Sequence, residues 1–557
     1  MTSNPSDSVE QRIGVDRRQF LQALGAVGIA GSVGPREAAT AFHTAATRTV
    51  PAAQSAFPLS ELTIEGLQHA YASKRFTTEE VVHLYLKRIS EIDQAGPRLK
   101  SVLEINPKAY DEARRLDRER AAGRILGPLH GVPVLLKDVI DTADGMHSTA
   151  GSLALMGSLP LEDAFIVQRL RQAGALLLGK TNLSEWSNCR SSNPTSGWSA
   201  RGGLTRNPYI LDRTACGSSS GTAVAVSANL SMLGIGADTD GSIACPASAN
   251  GLVGVKPTVG LCSRTGMIPV SITQDSAGPL TRTVRDAAIL LSAMRGVDNR
   301  DLATEAAAPH MNVDYLSGLQ PGALKGARLG VMRVSHDESS PAAQVFDKAL
   351  RALEEAGATV IDHVEYPSID DLQRAEVIVL LCEFKDLIRN YLSMRGPEER
   401  HRSLADLIRF NVDNAAVEME WFGQEWFEAS EVTSGRQTPD YIPALSRCRQ
   451  LARTMGIDKA MSDYNLDAVV TLAAGPAFAV DLLNGDHAMP SVTSLGSVAG
   501  YPRVTVPAGH VRGLPVGISF KGLPWTEARL LAFAYAFEQH TRVRIAPRFL
   551  PTADFDR

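Results

Sequence analysis

The chain has 557 residues, 44% of them apolar and 21% charged, within the range of a soluble globular protein too large for the usual single domain. A formal net charge of −5 gives no electrostatic reason to expect nucleic acid or an anionic membrane as partner. Six cysteines (Cys189, Cys216, Cys245, Cys262, Cys382, Cys448) are too few and too scattered for a disulfide scaffold, and with no CxxC spacing they make no zinc site.

At the N-terminus Arg17-Arg18 precedes a weakly apolar, Gly/Ala-rich run from Leu24 to Val33, and Ala39-Thr40-Ala41 has the small-x-small pattern of a cleavage site. This is the layout of a bacterial twin-arginine export signal. Residues 1–41 are therefore set apart from the fold, and a periplasmic or secreted location is expected. The run is too short and Gly-rich to span a bilayer, so no stable membrane insertion is expected. Export in the folded state makes no demand for disulfides.

Two helices are readable between Ser60 and Asp93. The second starts at Thr77-Thr78-Glu79-Glu80, a capping box, and carries Val82, Tyr85, Leu86, Ile89 and Ile92 as one apolar stripe. Ala109 to Ala122 reads as a charged surface helix, and Gly131 to Leu136 as a short buried strand ending at Lys137. Asp163 to Ala173 reads as a helix closed by Gly174, followed by a strand at Ala175–Leu178. The same helix–Gly–strand rhythm recurs from Ala342 to Ile361 around Gly357. Val469–Leu472, Val504–Pro507 and Val516–Phe520 look like further core strands. The alternation predicts an α/β sandwich around a large mixed sheet. The stretch from about Ile369 to Ile457 is helical in pattern and less apolar, and reads as a lid-like insertion. A single domain spans about 58–540, followed by a tail over 541–557.

The densest signal lies between Thr214 and Gly260. Gly217-Ser218-Ser219-Ser220-Gly221 runs straight into apolar residues, with Ala223–Ala228 reading as a helix start and Met232–Gly236 as a strand. A flexible serine linker would have polar neighbours instead. The five residues also match the G-x-S-x-G nucleophile elbow with Ser219 as nucleophile. However, Asp212–Cys216 is not strand-like, and neither His487 nor His510 sits in a convincing context. Gly254-Val255-Lys256-Pro257 lacks the spacing of a phosphate-binding loop. Lys137, at the end of a strand of Val and Leu, is either a solvated strand-end lysine paired with Asp138 or a buried base. A serine hydroxyl needs a base to become nucleophilic, and a lysine desolvated toward neutrality can act as one.

Several motifs together resemble the amidase signature family. They are Gly131-Val-Pro-Val-Leu-Leu-Lys137-Asp, Gly217-Ser-Ser-Ser-Gly-Thr222, Gly236-Ala-Asp-Thr-Asp-Gly-Ser-Ile243, Cys245-Pro-Ala-Ser248, Gly254-Val-Lys-Pro-Thr258, Asp275-Ser-Ala-Gly-Pro279, Ala499-Gly-Tyr-Pro502 and Gly513-Leu-Pro-Val-Gly517. Within that family Asn182-Leu-Ser-Glu-Trp186, Ser196-Gly-Trp-Ser-Ala-Arg-Gly-Gly203 and Gly260-Leu-Cys-Ser-Arg-Thr-Gly266 resemble the peptide-amidase branch. The resemblance implies a Ser–cis-Ser–Lys triad with Ser242 as nucleophile, Ser218 after a cis bond as proton bridge, and Lys137 as base. It implies an oxyanion hole from the main chain of Thr239, Asp240 and Gly241, with no metal and no cofactor. Two residues depart from the commonest family pattern, Asp240 for glycine and Ala244 for arginine. The implied activity is hydrolysis of carboxamides, with C-terminal peptide amides as the expected substrate. The alternatives are a general aryl or aliphatic amidase, the glutaminase component of a tRNA-dependent amidotransferase, and an inactive binding protein on the same fold.

Overall fold

In the computed structural model, which describes residues 57–333, 339–487 and 492–553, thirteen strands form. They are β1 (Val102–Ile105), β2 (Pro133–Lys137), β3 (Leu176–Thr181), β4 (Trp198–Ser199), β5 (Gly203–Leu204), β6 (Leu233–Asp238) and β7 (Val253–Lys256). The others are β8 (Ser276–Thr281), β9 (Arg328–Val331), β10 (Thr359–Ile361), β11 (Ala468–Leu472), β12 (Arg503–Val511) and β13 (Leu514–Lys521). Strands β4 and β5 pair only with each other. The other eleven form one sheet in the order β1-β3-β2-β6-β8-β7-β12-β13-β11-β9-β10. The β2–β3, β2–β6, β9–β11 and β9–β10 pairs are parallel and the rest antiparallel, so the sheet is mixed as the alternating pattern predicts. Helices surround it, as expected of an α/β sandwich.

The first part of the chain folds for the reasons its sequence suggests. Thr77 caps the helix Thr78–Arg88 by accepting from the Glu80 amide, and Glu80 returns the bond to the Thr77 amide. Val82, Tyr85, Ile89 and Ile92 are buried; Leu86 sits half-buried at the edge of the stripe. Gly174 (φ +82°) and Gly357 (φ +95°) take the left-handed turns that end the helices Phe165–Gln172 and Pro341–Glu355. The stretch 369–457 is helical as its pattern predicts, beginning with the long helix Ile369–Met394. The backbone after the last helix (Glu527–Thr541) does not trail away, because the amide of Leu211 donates to the Leu550 carbonyl and that of Phe549 to Pro208.

Four strands of the large sheet carry no strand signal in the sequence, β1, β7, β8 and β9, and neither does the short β4–β5 pair. The clearest case is β8, which contains Gly278 and Pro279 yet is buried throughout and paired on both sides. The Gly254–Pro257 stretch, which lacked the spacing of a phosphate loop, is the buried end of β7.

For function, the important feature is the end of the parallel trio β3-β2-β6. Lys137 ends β2 and Asp238 ends β6, side by side at the carboxyl edge of the sheet. This is the edge at which parallel α/β sheets place ligands.

Candidate active site

Lys137 is fully buried, and its Nζ lies 2.7 Å from Ser218 Oγ, with the Ala237 carbonyl at 3.4 Å. The neighbouring Asp138 turns elsewhere: its carboxylate accepts from Thr149 and from Arg201 (3.2 Å). Of the two sequence alternatives for Lys137, the solvated strand end paired with Asp138 is therefore ruled out. Burial pushes the Lys137 amine down to about 7, against the opposing pull of the Asp238 and Asp275 carboxylates. A buried ammonium without a hydrogen-bonded counterion is costly, and losing the proton removes that cost.

The Gly217–Ser218 peptide bond is cis, and the helix Ser220–Ser227, buried at every position, starts immediately after it. Gly221 is required there. A Cβ on it would lie 2.4 Å from the Asn182 carbonyl oxygen and 2.5 Å from that of Ser101. The three serines have separate duties. Ser218 faces Lys137. Ser219 Oγ donates to the Ala237 carbonyl (3.0 Å) and accepts from the Ala237 amide (3.2 Å). Ser220 Oγ donates to the Cys216 carbonyl (2.5 Å). Ser219, the residue that the elbow pattern points to, is thus buried and committed to the backbone of β6. Of the histidines that the elbow reading required, His487 is mostly exposed, 3.8 Å from Asp481.

Residues 239–242 form the turn that leaves β6. Gly241 takes φ +84°, and an added Cβ would press on Thr493 Oγ1 at 3.2 Å. Asp238 ties the turn down: its carboxylate accepts from the amides of Gly241 (3.1 Å) and Ile243 (2.6 Å) and from Ser497 Oγ (3.2 Å). It also pairs with Arg503 at 3.2 Å, both side chains being fully buried. Ser242 is 9% exposed, and its carbonyl accepts from the Ser219 amide at 3.3 Å, which seats it against the serine segment. Thr239 Oγ1 donates to Asp275 Oδ1 (2.6 Å), and its carbonyl accepts from Gln274 Nε2 (3.2 Å). That amide nitrogen in turn donates to Glu376 on the helix Ile369–Met394 (2.7 Å). Desolvation first, and then the charge of Asp240, push the Glu376 carboxyl well above the usual range.

The two departures from the commonest pattern have local explanations. Asp240 accepts from Ser494 Oγ (2.6 Å), and burial pushes its carboxyl up from the ordinary value. Ala244 is buried at the start of the helix Ala244–Ala249, and the cation next to the turn comes instead from Arg503 on β12, some 260 residues further along the chain. Sequence reasoning singles out neither Asp238 nor Arg503. Asp238 is visible within the Gly236–Ile243 motif, but Arg503 carries no local signal.

One covalent bond lies outside the sequence reading. Folded export makes no demand for disulfides, yet Cys216 and Cys245 are joined, with Cα atoms 5.9 Å apart. The spacing of 29 residues conceals the pair, because the strand and turns between the two bring the ends back together. Cys189, Cys262, Cys382 and Cys448 are free. The twin arginine and the cleavage pattern lie outside the described residues. Among the described residues no helix is long and apolar enough to cross a membrane.

Comparison with known proteins gives a consistent picture. The amidase family profile matches residues 80–531. A probable amidase of Arabidopsis thaliana is 42% identical over 508 residues, covering 89% of this chain and 93% of the relative. A glutamyl-tRNA(Gln) amidotransferase chain of Moorella thermoacetica is 34% identical, covering 86% of this chain and 96% of that one. Among solved structures, the native peptide amidase of Stenotrophomonas maltophilia superposes with a TM-score of 0.85 at 46% identity, covering 88% of this chain and 99% of that one.

Proposed function

This chain belongs to the amidase signature family and is a hydrolase of carboxamide bonds, and we propose that it removes the terminal amide of peptides through Ser242, Ser218 and Lys137. The observation that carries the reading is the contact between the Lys137 amine, pushed down to about 7 by burial, and the Ser218 hydroxyl beside the Ser242 turn. Ser242 Oγ attacks the amide carbonyl while its proton passes to Ser218, whose own proton passes to Lys137 Nζ. The relay then runs backward: Lys137 returns a proton through Ser218 to the departing nitrogen, ammonia leaves, and Ser242 holds an acyl ester. Water attacks this ester by the same route and releases the acid. The developing oxyanion is assigned to main-chain amides of Thr239, Asp240 and Gly241. Since the Gly241 amide is already given to Asp238, those of Thr239 and Asp240 carry most of that work. One such donor is worth about 3 kcal/mol.

The 46% identity to a peptide amidase supports a peptide amide as substrate. Export supplies the setting. The twin arginine supports it, as does the disulfide, a bond that persists in oxidising compartments. The similarity to an amidotransferase chain keeps glutamine hydrolysis as the second reading.

The test is ammonia release from a panel of amidated dipeptides, benzamide, acetamide and glutamine, with purified wild-type, Ser242→Ala, Ser218→Ala and Lys137→Ala enzymes. Amidated dipeptides should turn over fastest, and each variant should lose at least about 10³-fold in kcat. Glutamine as the preferred substrate would overturn the substrate assignment. A Lys137→Ala enzyme with wild-type rate at pH 7 would overturn the relay.

A further inference from the structure

We infer that the Cys216–Cys245 disulfide is a positioning element for the reaction, holding the two serine-bearing segments in register. Its location carries the inference. Cys216 lies two residues before Ser218, and Cys245 lies three after Ser242, in the first turn of the helix Ala244–Ala249. The bridge therefore closes a covalent ring that contains both residues that must exchange a proton, each within three residues of a bridged cysteine. Hydrogen bonds also link the two segments, among them Asn207 Nδ2 donating to the carbonyls of both Thr214 and Ala249 (3.0 Å each), but the bridge is the covalent tie. The Ser219 amide reaches the Ser242 carbonyl at 3.3 Å, and further back Asn250 Nδ2 donates to the Ala215 carbonyl at 2.9 Å.

Cys216 also has a backbone to hold. Its φ is +55°, a left-handed conformation that is unfavourable for a non-glycine residue. It is held by its amide donating to Thr214 Oγ1 (3.0 Å), by the Ser220 hydroxyl on its carbonyl (2.5 Å), and by the bridge. The peptide bond that follows leads through Gly217 to Ser218, so rotation at Cys216 swings Ser218 away from Lys137. On the other side Cys245 fixes the helix that starts two residues after Ser242, its amide donating to the Gly241 carbonyl at 2.9 Å. The pair packs in a small apolar cluster with Tyr209, Ile210, Ala249 and Leu514. Cys245 remains partly exposed, so a small thiol can reach it.

The reducing step balances simply. Dithiothreitol gives two electrons and two protons to the S–S bond, leaves two thiols on the protein, and closes to its own cyclic disulfide. A displacement of about 1 Å between reacting groups can cost on the order of 10²-fold in rate. The inference rests on the Ser242–Ser218–Lys137 reading and is tested so that the two fail separately. Full-length enzyme is assayed on an amidated dipeptide before and after dithiothreitol, and again after reoxidation, alongside Cys216→Ser/Cys245→Ser and Ser242→Ala. Titratable thiols and thermal melting are followed in parallel.

The expected result is two additional thiols, kcat lower by about 10- to 100-fold, KM within about twofold, and recovery on reoxidation. The double variant should match the reduced enzyme and ignore dithiothreitol. Unchanged kcat with two new thiols overturns the inference, and so does a loss of kcat that only tracks loss of folded protein. Activity that survives Ser242→Ala overturns the triad reading instead.

Discussion

A lysine kept neutral by burial leaves two marks, on rate and on stability. Below about pH 7 the Lys137 amine is protonated and can accept nothing, so kcat/KM should fall about tenfold per pH unit on the acid side, with a midpoint near 7. A pH-rate profile that is flat from about 5.5 to about 8 would contradict this. On stability, the folded-state value of about 7 lies below the ordinary 10.5 of the unfolded chain, so between those limits the unfolded chain binds more protons. The Lys137 contribution to stability is therefore full above 10.5 and lost as pH falls toward 7. Lys137→Met removes this dependence, and its unfolding free energy should rise less steeply from about pH 7 to about 10 than that of the wild type while activity disappears. Denaturant titrations of both proteins across this range check the sign. The residue types are legible in the sequence alone: Lys137, Ser218 and Ser242 stand in motifs of fixed spacing. Their partners are not, because Asp138 beside Lys137 looks like its natural counterion and only three-dimensional packing turns it toward Thr149 and Arg201.

At the scale of elements, the turn after β6 depends on a bond between distant strands. Asp238 and Arg503 are both buried, and removing one partner leaves an uncompensated charge at about 3–5 kcal/mol. Asp238→Ala should lose that much stability and nearly all activity, since the Gly241 and Ile243 amides lose their acceptor. Asp238→Ala with Arg503→Met should regain much of the stability but not the activity, and unfolding curves with parallel rates separate the two. The serine helix has a different dependence, on close backbone approach. Gly221→Ala places a methyl against two carbonyl oxygens, and a cost of about 1–3 kcal/mol is expected, read as a lower melting temperature. Elements with clean periodicity are readable in sequence, such as the capped helix from Thr78 and the strand ending at Lys137. Strand β8 is hidden because Gly278 and Pro279 contradict ordinary strand propensity, and neighbours on both sides overrule it.

Across the whole molecule, the chain's order is not the site's order. Lys137 comes from the second strand, Ser218 and Ser242 from the middle of the chain, and Glu376 reaches the Thr239 turn through Gln274 from the helical stretch over 369–457. The fold class follows from alternating helices and short apolar strands, but the mixed directions and the order of eleven strands do not, because pairing between remote segments leaves no trace in local pattern. The likeness to a bacterial peptide amidase extends over 88% of this chain, so it rests on the sheet as a whole and not on one motif.

The clamp that Arg503 and Ser497 place on Asp238 has a consequence for biosynthesis. A nascent chain that has emerged only as far as the start of the helix bearing Ser497 already holds every candidate catalytic side chain, yet it lacks the guanidinium that pairs with Asp238 behind the loop bearing Ser242. Competence for catalysis is therefore expected only once β12 has joined the sheet, and a chain truncated before Arg503 should release no ammonia from an amidated dipeptide.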